Sequence, residues 1–113
     1  MTDRELLELA AKAAGMVIRP FSNGMPLYWD ETGKIPQKWN PLTDDGDALR
    51  LAVKLRINVQ WSVTVDDFSP SVEVYHADTV SSDCIEIKTS DDPYAATRRA
   101  IVRAAAEIGK AMP

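Results

Sequence analysis

The chain has one cysteine, Cys84, and one histidine, His76, among its 113 residues. One cysteine cannot close an intramolecular disulfide, and one Cys with one His cannot supply the four ligands of a structural zinc site. No apolar run approaches the ~20 residues that a membrane-crossing helix needs, and the start, Met1-Thr2-Asp3-Arg4-Glu5, is too acidic for a secretory leader. The five glycines are dispersed singly, so no glycine-rich phosphate loop, dinucleotide fingerprint or G-x-S-x-G elbow occurs. What is left is a single cytoplasmic globular domain over residues 1–113. A chain of this size buries roughly two-thirds of its unfolded surface and needs no metal or disulfide to fold. No cofactor and no catalytic activity are expected.

Charge is present but unevenly placed. The net charge is −4. Residues 1–42 carry five basic and five acidic side chains, residues 43–92 four and eleven, and residues 93–113 four and one. An acidic middle followed by a basic final segment is the opposite of the overall positive balance that marks a nucleic-acid-binding domain.

The helices announce themselves by their ends. Thr2-Asp3-Arg4-Glu5 is a capping box; Leu6, Leu9/Ala10 and Ala13 then form one apolar stripe, and Gly15 can take the left-handed conformation that ends a helix. The first helix is therefore expected over residues 3–14. A second follows Thr43-Asp44-Asp45-Gly46-Asp47, whose carboxylates suit the positive end of a helix dipole. Its apolar positions 48, 49, 51, 52, 53 and 55 run most of the way round, which predicts a largely buried central helix with Arg50 and Lys54 on a narrow polar edge. A third begins at Asp92, a good N-cap, with Pro93 at the first helical position. Tyr94, Ile101, Ala104/Ala105, Ile108 and Met112 are its expected buried stripe.

Between the second and third helices the period changes to two. Ile57, Val59, Trp61, Val63 and Val65 alternate with Asn58, Gln60, Ser62, Thr64 and Asp66, the strongest strand signal in the chain. Val72–Ala77 and Cys84–Lys88 read as two further strands, separated by the turn Asp78–Asp83, and short links favour an antiparallel meander. Residues 16–42 are broken by Pro20, Pro26, Pro36 and Pro41, yet they hold Phe21, Tyr28, Trp29 and Trp39, half of the eight aromatics. Such a stretch is too aromatic for a disordered linker. Met16–Ile18 could add a short strand, and Leu27–Asp30 with Ile35–Trp39 could form a hairpin. The expected class is α+β: a three-stranded antiparallel sheet, with an added strand or hairpin from residues 16–39 left open, and three helices.

Candidate sites each have a plain structural alternative. Asp44/Asp45/Asp47, Asp66/Asp67 and Asp91/Asp92 could hold a cation, but Asp44-Asp45-Gly46-Asp47 lacks the spacing of a calcium loop. The first and last groups sit at helix starts and the middle one at a strand end, where aspartate has structural roles. Cys84 and His76, either side of a turn, could form a nucleophile and its base; no third group supports them, and a lone strand cysteine reads first as a small core residue. The polar strand positions are more open-ended. They are either solvated or form a flat, uncharged-centred surface for a partner protein or a second copy of the chain. The candidate interaction residues are Gln60, Ser62, Thr64, Glu73 and Tyr75, together with Arg98, Arg99 and Arg103 on the basic helix. Those arginines also invite a phosphate reading. The start of their helix is Asp91-Asp92-Pro93, however, where a double-stranded-RNA-binding module would need lysines, so nucleic acid is the disfavoured alternative.

The run from Trp39 to Leu55, Trp39-Asn40-Pro41-Leu42-Thr43-Asp44-Asp45-Gly46-Asp47-Ala48 and onward, resembles the phage ABA sandwich domain family, small uncharacterised proteins of bacteriophages and prophages. Ala96–Ala106 is similar to that family's closing helix, and Leu6–Gly15 is compatible with it. The resemblance covers most of the chain from residue 39 onward. It implies an α/β/α layered arrangement and a phage or prophage origin, and brings no cofactor or catalytic residues. The combined expectation is a non-enzymatic accessory protein that binds a phage or host protein in the host cytoplasm, with a homodimer as a further expectation and no membrane partner.

Overall fold

The computed structural model describes residues 2–20, 26–29, 36–63, 70–76, 85–88 and 92–113. The turns expected at Asp30–Lys34 and Asp78–Asp83, and the residues Thr64, Val65, Asp66, Asp67, Ala77, Cys84 and Asp91, lie outside them.

Helix α1 spans Asp3–Ala13. The Thr2 hydroxyl accepts from the Glu5 amide at 3.2 Å, which satisfies one of the donors that a helix start leaves free. At the other end the Met16 amide donates to the Ala11 carbonyl and the Gly15 amide to Lys12, at 3.0 and 3.1 Å. This is the Schellman closure, and it needs the left-handed φ of 79° that Gly15 adopts.

The aromatic stretch then forms its own antiparallel sheet of β1 (Val17–Pro20), β2 (Pro26–Trp29) and β3 (Pro36–Gln37), in the order β1-β2-β3. Tyr28 pairs with Ile18 on one side and Gln37 on the other. These strands do not extend the main sheet, as the sequence left open; they make a second one beside α1. Trp39, just after β3, packs a tilted ring 4.9 Å from that of Tyr28 and rests against the core.

Helix α2 spans Asp45–Leu55 and is followed by Arg56 in the left-handed conformation, φ 57°. The chain turns there into β4 (Ile57–Val63), which pairs antiparallel with β5 (Pro70–His76); β5 pairs on its other side with β6 (Ile85–Lys88). Directly opposed residues share a face, so Val59, Val74 and Ile85 occupy one cross-strand row, and Trp61, Val72 and Ile87 the next. Ile57, Val72 and Val74 on this face are buried, whereas Asn58 and Gln60 on the reverse face are exposed.

Helix α3, Pro93–Ala111, is the element on which the rest is assembled. It packs on β4, β5 and β6, on α2 and, most extensively, on α1. The α1–α3 contact is close because both helices present alanine: Ala10, Ala11 and Ala14 meet a helix whose Ala100, Ala104, Ala105 and Ala106 are buried. At Gly109 the two backbones are so near that a Cβ would strike the Leu9 carbonyl.

The α+β class, with three helices and antiparallel pairing, is what the chain adopts. The layering differs from α/β/α. Among the described residues α2 and α3 cover the apolar face of the β4–β6 sheet and α1 lies against α3, while Asn58 and Gln60 on the other face stay open. Two burial expectations are also corrected. Leu49 and Val53 are 63% and 69% exposed, because α2 buries the stripe of Ala48, Leu51 and Ala52 against α3 and β4 and nothing described lies beyond it. Tyr94 is 69% exposed and Met112 40%, the two being at opposite ends of α3 where the neighbouring helices no longer cover it. No helix among the described residues is long and apolar enough to cross a membrane.

Candidate functional site

The predicted interaction residues do not form one surface. Strand register sets Gln60 opposite Glu73, which faces Glu86 in turn, and sets Asn58 opposite Tyr75 and Ser62 opposite Ser71. Gln60, Ser62, Glu73 and Tyr75 therefore share the sheet face turned away from the helices, and Thr64 lies outside the described residues. Arg98, Arg99 and Arg103 are on α3, on the opposite side of that sheet.

Two of these arginines are already engaged. Arg98 donates from Nε to the Leu42 carbonyl at 2.9 Å and from Nη1 to Asp45 Oδ1 at 2.7 Å. Arg99 reaches Asp3 Oδ1 at 2.8 Å. The basic helix is thus joined to the acidic first turns of α1 and α2; Arg99 and Arg103 are exposed and Arg98 is half-buried. Tying two helix starts to α3 uses the arginines as struts; a phosphate would have to displace these carboxylates.

The aspartates ahead of α2 are likewise used in place. Asp44 is the N-cap, accepting from the Asp47 amide at 2.8 Å. Asp47 is 8% exposed and is the buried charged residue of the described chain. Its two oxygens accept from the Asn40 amide at 2.9 Å and from Arg50 Nη2 at 2.7 Å. The Asn40 carbonyl then accepts from the Thr43 and Asp44 amides at 3.1 and 2.9 Å. The two neighbouring carboxylates divide the work: Asp44 caps, while Asp45 pairs with Arg98. Among the described residues no three His, Cys, Asp or Glu side chains gather as metal ligands.

The feature with binding character is elsewhere. Between α2, β4 and the first turns of α3 lies an open groove of about 530 Å³, whose walls include Leu49, Ala52, Val59, Trp61, Tyr94 and Ile101. The Trp61 indole N–H donates to the Thr97 hydroxyl at 3.0 Å, and that hydroxyl donates to the Pro93 carbonyl at 2.7 Å. The ring is held in one orientation, yet Trp61 is 63% exposed. Single exposed apolar side chains are ordinary; Leu49, Trp61 and Tyr94 gathered around one concavity are the kind of cluster that marks an interaction site.

The groove floor is also a sheet edge. The order is β4-β5-β6, and among the described residues no strand pairs with the free side of β4. Edge strands are normally blunted by charge, proline or shortness. The far edge fits that rule, since β6 has four residues and contains Glu86 and Lys88. β4, Ile57-Asn58-Val59-Gln60-Trp61-Ser62-Val63, has seven residues and no charge, proline or glycine.

A second concavity, of about 620 Å³, runs along α1 past Glu8, Lys12 and Met16. Near it the Tyr28 hydroxyl is buried with no hydrogen-bond partner among the described residues. Burial, and secondarily the Glu8 carboxylate, raise its pKa above the ordinary 10.0.

Sequence reasoning placed Leu49 and Tyr94 in the core. One signal for the alternative was available: Leu49 and Val53, four residues apart, form a second apolar stripe beside the one that α2 buries. No protein-family model, curated protein or solved structure matches the chain.

Proposed function

We propose that the chain is a non-enzymatic protein-binding module, of the accessory kind its phage resemblance suggests, and that it binds along the β4 edge and the adjoining groove. The partner adds an extended strand to β4 through main-chain hydrogen bonds while apolar side chains enter beside Trp61, the mode of strand addition. The observation that carries this reading is the oriented but exposed Trp61 on an uncharged edge strand. Rigid aromatics on such surfaces supply most of the binding energy where they occur. Nucleic acid through α3 is the weaker alternative, because Arg98 and Arg99 are committed to Asp45 and Asp3.

The test is capture by immobilised parent chain and by a Trp61→Lys variant, side by side, from lysates with and without phage infection. A protein retained by the parent and lost by the variant supports the reading. Equal retention by both overturns it, as does retention by neither from a chain that also fails to associate with itself.

A further inference from the structure

We infer that the strand added to β4 is the β4 of a second copy, giving a two-fold dimer with one continuous six-stranded sheet. The inference rests on the reading of β4 as a docking edge and names its partner.

The sequence of β4 is self-complementary for antiparallel pairing. A two-fold axis at Gln60 sets Ile57 opposite Val63 of the partner subunit, Val59 opposite the partner's Trp61, Asn58 opposite the partner's Ser62, and Gln60 opposite the partner's Gln60. All seven residues of β4 are then paired, apolar with apolar on the groove side and polar with polar on the other. No like charges meet, which is the usual obstacle to pairing a strand with itself.

The helix beside the edge fits the same arrangement. α2 packs on β4 and α3 and leaves Leu49 and Val53, one turn apart, 63% and 69% exposed. A two-fold through the edge of β4 brings the two α2 helices together on the groove side of the joined sheet, which gives these side chains a covering. Leu49, Val53 and Trp61 offer on the order of 400 Å² of apolar surface per copy, about half of the ~800 Å² that each partner contributes to a standard interface. The paired strand backbones and the rim of the groove contribute the remainder. Because β6 is short and carries Glu86 and Lys88, β4 is the competent edge of this sheet, so the contact is isologous and closes at two chains.

The experiment is sedimentation velocity with light scattering on the full chain across the micromolar range. The parent is expected at twice its 12.5 kDa mass. Trp61→Ala removes two anchors per dimer and weakens association by at least ~100-fold. Gln60→Lys and Gln60→Glu, at an exposed position, each set like charges across the axis and weaken it about 5-fold. An equimolar mixture of these two variants regains the parent's affinity as a heterodimer, even if Trp61→Ala proves poorly folded. A parent that stays monomeric overturns the inference and leaves the capture experiment to judge the edge against other proteins. A dimer indifferent to all three substitutions overturns it as well, as does a Lys/Glu mixture no tighter than either variant alone.

Discussion

Gly109→Ala tests the packing of α1 on α3 most directly. In an exposed helix interior this substitution is favourable by ~1 kcal/mol, because alanine restricts the unfolded backbone and suits the helix. Here the new methyl would fall inside the van der Waals radius of the Leu9 carbonyl oxygen, with the Leu9 carbonyl carbon at 2.9 Å and its Cα at 3.3 Å. The obstacle is backbone, so no rotamer change relieves it. α1 must withdraw by more than ~1 Å, and the buried contacts of Leu6, Ala10 and Ala14 loosen with it. Overpacking of this kind costs about 3 kcal/mol, which leaves a net loss near 2 kcal/mol after the helix gain, or ~8 °C in Tm for a domain of this size. Gly46→Ala is the control, since its Cβ would meet only the Arg50 and Asp44 side chains, at 3.2 Å. Urea denaturation followed by circular dichroism gives both values. A Gly109→Ala protein as stable as the parent, or more so, refutes the close backbone contact.

Asp47→Ala is expected to cost about 2–3 kcal/mol, because it strips the Asn40 amide of its acceptor in a part-buried site. Asp47→Asn, which keeps an acceptor oxygen, should recover at least half of that in the same denaturation assay. Tyr28→Phe removes a buried hydroxyl that has no partner among the described residues and should leave stability unchanged or raise it by up to ~1 kcal/mol. The raised pKa of Tyr28 means that the folded state holds its proton longer than the unfolded chain. Stability is therefore intact below pH 10.0 and declines as pH rises towards and through the folded value. Denaturation midpoints above pH 10.0 should accordingly fall less steeply for Tyr28→Phe than for the parent. Arg56→Gly relieves a left-handed backbone, φ 57°, and should raise the thermal midpoint by an amount equivalent to ~0.5–1 kcal/mol.

The helices and the strand alternation were readable because local chemistry sets them. Thr2 and Gly15 bracket α1, Asp92-Pro93 starts α3, and the two-residue period from Ile57 to Val63 gives the two faces of β4. The hairpin arms around Tyr28 and Gln37 were readable for the same reason. Local rules could not say which apolar stripe would find a neighbour. Leu49 and Leu51 are equally hydrophobic, and only the placement of α3 buries one and exposes the other. Strand order is non-local in the same way. That β4 stands at an edge follows from β6 adding to the far side of β5, so the candidate groove could not be read before the sheet was assembled. The charge pattern was legible only as a pattern: an acidic middle and a basic final helix become specific contacts when Arg98 meets Asp45 and Arg99 meets Asp3.

The contact between Arg99 and Asp3 joins residues 96 apart in sequence, and the face of α1 that carries Leu6, Ala10 and Ala14 is buried largely by the helix that contains Arg99. On a ribosome adding about 5–20 residues per second, α1 emerges roughly 5–20 s before its packing partner exists. Throughout that interval its inner face is exposed to chaperones and to other nascent chains. Ala10, Ala11 and Ala14 offer them only methyl groups to hold, so the small side chains that bring α1 and α3 together also narrow the grip of the waiting helix to its leucines until α3 is made.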